Sequence, residues 1–142
     1  MENAFHTNKA LIETYFYDVW NGGDLSKLDA IIDPEYINHN PSVPNPPPGP
    51  EGLRPIILAM RKGIPDLHYT IEDTVITEDR VVARVLVEGT HLETLFGIRP
   101  TGKRIEIHQI NIERVKNGKI VEHWRVTEEL KMMQQLGLVQ LG

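Results

Sequence analysis

The second half of the chain contains four segments of alternating polar and apolar residues, separated by short turns. These segments are rich in Val, Ile and Thr, and they are His68 to Thr77, Arg80 to His91, Arg104 to Lys116 and Lys119 to Val126. Such alternation predicts strands, and the pair Asn117-Gly118 is the strongest short signal for a hairpin turn. Glu78-Asp79 makes another turn of this kind. We therefore predict a long antiparallel meander.

The first half is predicted to be helical. Apolar residues recur on one helical face over residues 8–20, and Asn21-Gly22-Gly23 ends that helix. Asp24 is expected to cap a second helix, and a third is expected over Leu53 to Lys62. Thr127 is expected to cap a last helix. The order predicts an α+β fold, in which three N-terminal helices and a C-terminal helix cover a strongly curved, cone-shaped antiparallel sheet enclosing a pocket.

Length and composition narrow the class of protein. The 142 residues fit one domain, and with no cysteine there is no disulfide, thiol nucleophile or thiolate metal site. The start of the chain does not resemble a signal peptide, and no apolar stretch is long enough to span a membrane, so we expect a cytoplasmic protein. The net charge is −5 with scattered basic residues, which argues against nucleic-acid binding.

A stiff loop precedes the third helix. Residues 40–50 include six prolines, each of which fixes φ and removes a backbone donor. Asn38 and His39 come directly before this loop. A histidine at a strand end beside such a loop can serve as an acid, a base or a hydrogen-bond donor. The alternative is an ordinary surface histidine.

The strand over Arg104 to Lys116 changes from apolar to polar along one face. Ile105 and Ile107 share that face with Gln109 and Asn111. An apolar row that continues into amides is typical of a cavity wall with a few orienting groups. The alternative is an amide pair on a solvent-exposed face.

Charged residues near the end of the chain are further candidates. His123 and Arg125 share one face of the last strand, and Glu128 lies in the first turn of the helix that follows. Glu128 also has a structural explanation, because an acid near a helix N-terminus interacts favourably with the helix dipole. Arg84 and Glu88 share a face of an earlier strand, as a buried ion pair or a solvated one.

No metal site or cofactor is expected. The six histidines show no H-x-H or H-x-x-x-H spacing, and there is no glycine-rich phosphate loop or nucleophile elbow. An enzyme with this sequence would carry out acid–base chemistry in a dry pocket without a cofactor.

A set of ordered motifs resembles the SnoaL-like ester cyclases of the nuclear-transport-factor-two-like fold. The motifs cover nearly the whole chain and are residues 17–25, 34–41, 64–66, 88–91, 97–103, 117–124 and 135–137. The resemblance implies a cone-shaped bent sheet in a protein that is usually dimeric. It also implies an intramolecular aldol condensation on a polyketide ester, in which a carboxylate removes a proton α to a carbonyl and no cofactor takes part.

The resemblance also assigns roles to individual residues. Trp20 falls at an aromatic position that contacts the substrate, and Asn38 and Gln109 match polar residues of the pocket. Asn111 stands where a cyclase has histidine, and His123 matches a histidine of the last strand.

One departure from the family pattern concerns the base. The cyclases' acid–base aspartate comes two residues after that histidine, where this chain has Arg125, and arginine cannot act as a base. Glu128 matches an acid found in broader family members. The apolar pattern of the last strand predicts that Ile120, Trp124 and Val126 point inward. The family resemblance implies instead that His123 and Arg125 point into the cavity, so the two predictions conflict.

Three functions are compatible with these observations. The first is a SnoaL-like enzyme that acts on an apolar, oxygenated small molecule, with Glu128 or His123 in acid–base roles. Ligand binding would then involve Trp20, Asn38, His39, Arg84, Gln109, Asn111 and Arg125. The second is a binding module that keeps the pocket without catalysis. The third is an interaction protein whose bent sheet forms a homodimer surface.

Overall fold

The computed structural model describes residues 2–140 and has the predicted α+β architecture. Its helices are α1 (Glu2–Glu13), α2 (Leu28–Ile31), α3 (Pro50–Gly63) and α4 (Glu129–Gln135). A π-helical segment, Thr14–Asn21, continues α1, and a short 3-10 turn, Leu25–Lys27, leads into α2. The strands are β1 (Ile32–Asn38), β2 (His68–Ile76), β3 (Arg80–Thr90), β4 (Arg104–Lys116) and β5 (Lys119–Thr127).

The strands form one sheet in the order β1-β5-β4-β3-β2. The meander from β2 to β5 is antiparallel, as predicted from the alternation and the turns. The expectation of a purely antiparallel sheet was wrong, because β1 joins the edge parallel to β5, with Asn38 opposite His123. The sequence predicted only a short extended piece here. The partner of that piece follows some eighty residues later, so no turn signal could reveal the pairing.

A bulge in β5 determines which side chains face the helices. Val115 pairs with Ile120 and Arg114 pairs with Glu122, so Val121 is an extra residue without a partner in the ladder. An extra residue shifts the inward–outward alternation by one position. Ile120 is therefore buried before the bulge, and His123 is buried after it.

The same bulge resolves the conflict over the last strand. Trp124 is half-exposed and Val126 is 75% exposed, so both lie on the outer face. The expectation from the apolar pattern was wrong for these two residues and correct for Ile120. It assumed uninterrupted alternation, which the bulge breaks.

The concave face of the sheet packs against α1, the π-helical segment and α3. The buried cluster that joins them includes Ile12, Phe16, Val19, Leu53 and Ile57 from the helices. From the sheet it includes Val81, Val85, Val87, Ile105 and Ile107. β3 also approaches the residues after α3 closely, because a Cβ added to Gly89 would lie 2.2 Å from Cγ2 of Ile64.

The end of the π-helical segment is fixed to β2 and α3 by polar contacts. The Asn21 amide donates to the Tyr69 carbonyl at 2.8 Å and accepts from the Tyr69 N–H at 2.6 Å, as a neighbouring strand would. Arg61 donates to the backbone carbonyls of Trp20 and Asn21 at 2.7 and 2.6 Å. These contacts satisfy carbonyls that a helix end leaves without partners, and they fix the position of Trp20.

The cap before α2 agrees with the prediction, whereas the starts of α3 and α4 differ from it. The Asp24 carboxylate accepts from the Ser26 N–H at 3.1 Å and caps the turn before α2, as expected. α3 begins three residues earlier than predicted, at Pro50, where a proline at the first helical position loses no hydrogen bond. Thr127 ends β5, and Glu128 takes the cap position of α4 without a side-chain cap hydrogen bond.

Over residues 2–140, none of the helices combines the length and the apolar character needed to cross a membrane.

Candidate functional site

A cavity of about 540 Å³ lies between the concave face of the sheet, α3 and α4. Most of its lining is apolar: Trp20, Ile56, Met60, Val87, Leu95, Phe96, Ile98, Ile105, Ile107, Met132, Met133 and Leu136. The polar lining residues are Asn40, Ser42, Tyr69, His91, Gln109, Arg125, Thr127 and Glu129. An apolar cavity of this size with a few polar groups is typical of a small-molecule site.

One group of these polar residues lies where the inward faces of β4 and β5 meet. On β4 the inward row runs from Ile105 and Ile107 through Gln109 and Asn111 to Glu113. Asn111 lies opposite Arg125 on β5, and Glu113 lies opposite His123. The expected change from an apolar to a polar wall therefore occurs, and it continues two residues further than the sequence analysis proposed.

Glu113 and His123 form a buried pair behind the cavity wall. Each residue is 1% exposed, and Nδ1 of His123 lies 2.7 and 2.8 Å from the two Glu113 carboxylate oxygens. With its proton on Nδ1, the ring donates to the carboxylate and leaves Nε2 as an acceptor. Nη1 of Arg125 lies 3.4 Å from that Nε2. The three side chains thus form a row that leads from the protein interior to the cavity.

The sequence analysis did not identify Glu113. The signal was present, because Glu113 follows Gln109 and Asn111 at the same period of two. A glutamate in the middle of a strand is usually solvent-exposed, so the alternation was not followed to this position.

The guanidinium of Arg125 is held by the start of the proline loop as well as by His123. Nη2 donates to the Asn40 carbonyl at 2.7 Å and lies 3.5 Å from the Ser42 hydroxyl. The Arg125 N–H donates to the Asn40 side-chain oxygen at 2.8 Å. These contacts hold the cation at the cavity wall.

Tyr69 adds a neutral polar group to the lining. Complete burial raises the pKa of its phenol well above the ordinary value, and the nearby Arg125 charge offsets this only in part. Tyr69 consequently remains protonated and can act as a donor, but not as a base, near neutral pH.

The structure brings together five of the nine residues proposed from the sequence. Trp20, Gln109 and Arg125 line the cavity. His123 and Asn111 face the same side of the sheet and are buried next to this lining. Within the part of the chain that the structure describes, the amide nitrogen of Asn111 has no hydrogen-bond partner.

Asn38 and His39 lie outside the cavity. We expected Asn38 to line it, but this side chain accepts a hydrogen bond from the Asn40 N–H at 2.9 Å and shapes the start of the loop. The His39 ring stacks on Trp124 at 4.7 Å and contacts Glu122 at 2.9 Å, on the outer side of the bulged strand. The bulge that turns Trp124 outward gives His39 its exposed aromatic partner.

Arg84 and Glu128 also lie away from the cavity. Arg84 pairs with Glu72 at 2.8 Å, and its side chain is 46% exposed. Glu88 pairs with Arg104 at 2.6 Å, so neither form of the expected Arg84–Glu88 pair occurs. The Glu128 carboxylate accepts from the His108 N–H at 2.7 Å and does not line the cavity. This hydrogen bond is the main cause that lowers the pKa of Glu128, with the His108 ring and Lys131 in support. The placement corrects the expectation of a catalytic Glu128.

In the part of the chain that the structure describes, no three His, Asp or Glu side chains converge as a metal site would require.

The fold and the cavity together define the class of protein, a curved-sheet α+β domain that encloses a largely apolar cavity. The chain belongs to the SnoaL-like polyketide cyclase family, whose model matches residues 10–136. It is 27% identical over 127 residues to the aklanonic acid methyl ester cyclase DnrD of Streptomyces peucetius, a match covering 84% of each chain. It is 26% identical over 120 residues to the nogalonic acid methyl ester cyclase of Streptomyces nogalater, covering 83% and 89% of the two chains. Among solved structures, TsrD from Streptomyces laurentii is similar, with a TM-score of 0.85 and 30% identity over 94% of this chain and 97% of the other.

Proposed function

We propose that this chain is an ester-cyclase-type enzyme that binds an apolar, oxygenated polyketide ester and stabilises its enolate through Arg125. The observation that carries the proposal is the guanidinium of Arg125, which the proline loop holds at the wall of a largely apolar cavity. A cation held in place before the reaction stabilises charge that develops on a carbonyl oxygen. The activity named for the two cyclase relatives, on acid methyl esters, supports this choice of substrate.

The proposed reaction is an intramolecular aldol condensation. A base takes the proton α to a carbonyl, and the C–H electron pair becomes the enolate whose oxygen Arg125 and Gln109 bind. The enolate carbon then forms a bond to a ketone carbon of the same molecule. The resulting alkoxide recovers the proton, so the product is an isomer of the substrate.

The proposed base is His123. Glu113 holds the proton of the ring on Nδ1, so Nε2 carries the lone pair that a base needs. Nη1 of Arg125 contacts Nε2 in the structure, so in this mechanism the guanidinium turns from the ring toward the enolate oxygen before His123 takes the proton. The proton acceptor and the oxyanion site are then adjacent. Glu113 would also stabilise the imidazolium formed when His123 takes the proton.

A second candidate function is ligand binding without catalysis. The specific observation in its favour is that Arg125 covers Nε2 of His123. The family resemblance also implies that Arg125 stands where the cyclases have their aspartate. Unless the arginine turns toward the ligand, the histidine has no free lone pair. The cavity would then bind a small molecule and leave it unchanged.

Turnover and binding of aklanonic acid methyl ester distinguish the two candidates. For the enzyme we expect a ring-closed isomer by mass spectrometry and chromatography. His123→Gln should lower kcat by about 100-fold while the affinity changes little, because a positioned base contributes on the order of 100-fold or more. His68→Gln, at an exposed histidine, is the matched control. Binding without an isomer would favour the binding module, and the absence of both would contradict both candidates.

The outer face of the sheet supports a further part of the proposal, a homodimer. Ile110, Ile112 and Val126 are exposed there, and Ile110 lies opposite Val126 while Ile112 lies opposite Trp124. This apolar patch is continuous across β4 and β5, and a second copy of the chain would bury it. The interface would bury on the order of 1,200 Å² in total. The proposal keeps the cytoplasmic location expected from the sequence.

Light scattering tests the dimer. The unmodified protein is expected to have twice the mass of one chain at micromolar concentration. Val126→Glu should give a monomer, because it places a charge in the centre of the apolar patch. Leu58→Glu, at an exposed position of α3, should leave the dimer intact. A monomer before any substitution would contradict the proposal.

A further inference from the structure

His91 lies at the end of the cavity that is remote from Arg125. It follows β3, lines the cavity and is only 1% exposed. Its N–H donates to the Lys103 carbonyl at 2.9 Å, and its own carbonyl accepts from the Gly102 N–H at 2.8 Å. The backbone on both sides therefore holds the imidazole in place.

The hydrogen bonds of His91 determine which ring nitrogen carries the proton. The Thr101 N–H donates to Nδ1 at 3.3 Å, and a nitrogen that accepts cannot carry a proton itself. The Thr101 hydroxyl also lies 3.1 Å from Nδ1, and its oxygen accepts from the Lys103 N–H at 3.2 Å. The hydroxyl proton is therefore free to point at Nδ1. Both contacts place the ring proton on Nε2.

The Nε2–H group is buried and has no hydrogen-bond partner among residues 2–140. A buried donor without a partner is unfavourable, and in a cavity wall a ligand atom can supply that partner. We infer that Nε2–H of His91 binds an oxygen of the ligand, at the end opposite to the oxygen bound by Arg125. This inference rests on the proposed function, because it concerns the same ligand.

The positions on β4 indicate the shape of that ligand. Arg125 lies opposite Asn111 on β4. His91 bonds to Lys103, which directly precedes β4 and lies eight residues before Asn111. Eight residues correspond to roughly 26 Å along the strand, and the distance across the curved cavity is shorter. Ile105 and Ile107 line the cavity between these ends. The site therefore fits an elongated molecule with an apolar middle and an oxygen acceptor at each end.

Binding of aklanonic acid methyl ester, measured by calorimetry, tests the inference. His91→Phe is expected to weaken binding by about 10-fold, because it removes one neutral hydrogen bond. His91→Gln should recover part of that loss, since its amide can donate toward the same oxygen. The matched control is His68→Phe, at an exposed histidine, which should bind like the unmodified protein.

A second measurement uses only the unmodified protein, so it does not depend on whether a variant folds. Nitrogen-15 NMR of the unmodified protein is expected to show His91 protonated on Nε2 alone, and the Nε2–H resonance should move when the ester binds. Protonation on Nδ1, or an unchanged affinity in His91→Phe while Arg125→Met weakens binding, would overturn this inference and leave the proposed function intact. No binding by the unmodified protein would overturn both.

Discussion

Replacing Glu113 by alanine is expected to lower the free energy of unfolding by about 3–5 kcal/mol. The carboxylate is 1% exposed and accepts from His123, which in turn contacts Arg125. Removing the acid leaves the arginine without its nearby negative charge and leaves Nδ1 of the histidine without an acceptor. The histidine would remain fully buried and the arginine half-buried, which is why the expected loss is large. Chemical denaturation at neutral pH measures it.

Glu106→Ala is the matched control for this experiment. Glu106 lies on the same strand but faces outward and is exposed, so its replacement should change the stability by less than about 0.5 kcal/mol. A double-mutant cycle with His123→Ala should show a coupling of roughly 1 kcal/mol or more between Glu113 and His123. Additive effects, or a loss no larger than in the control, would show that the buried pair has no stabilising role.

The second large effect is expected for Arg125→Met, which keeps the length of the side chain and removes its charge. Turnover of aklanonic acid methyl ester should fall by about 100-fold or more, the usual cost of losing a group that stabilises an oxyanion. The ester should also bind more weakly, because the methionine offers no donor to its oxygen. Steady-state kinetics and calorimetry measure the two quantities separately.

Arg125→Lys should recover only a part of this loss. Lysine keeps the charge, but a single ammonium group cannot contact His123, the Asn40 carbonyl and the ligand with the geometry of a planar guanidinium. Arg80→Met, at a hairpin turn where the arginine pairs with Asp79, is the control that should behave like the unmodified protein. Turnover and affinity that stay unchanged in Arg125→Met would remove this arginine from the site.

Local patterns predicted most of the fold. The alternation in β2 to β5, the Asn117-Gly118 turn and the cap at Asp24 depend on neighbouring residues, and the structure confirms them. The parallel pairing of β1 with β5 depends on contacts between distant parts of the chain. No sequence pattern near β1 reports such a contact, so it could not be predicted.

The candidate site was predictable only in part, for a different reason. Gln109 was found because it continues an apolar row, and Glu113 continues the same row two steps further. The inward orientation of Arg125 and His123 was implied by the family resemblance, since the apolar pattern alone gave the wrong face. Glu128 follows the strand closely in sequence, but its carboxylate turns to the His108 N–H on the outer face. The spacing of residues in the sequence does not show which backbone N–H a carboxylate such as that of Glu128 will bind.

The extra residue in β5 also has a consequence for comparing sequences within the family. Val121 has no partner in the ladder. The alternation of inward and outward side chains is therefore shifted by one position after Val121 relative to the residues before it. In a relative without this residue, inward and outward side chains would alternate without interruption along the whole strand. An alignment that misplaces a single gap near position 121 would then match cavity residues of one protein with surface residues of the other. Substitutions in this strand are therefore best compared after counting from Asn111, the partner of Arg125 on β4, where the ladder is regular.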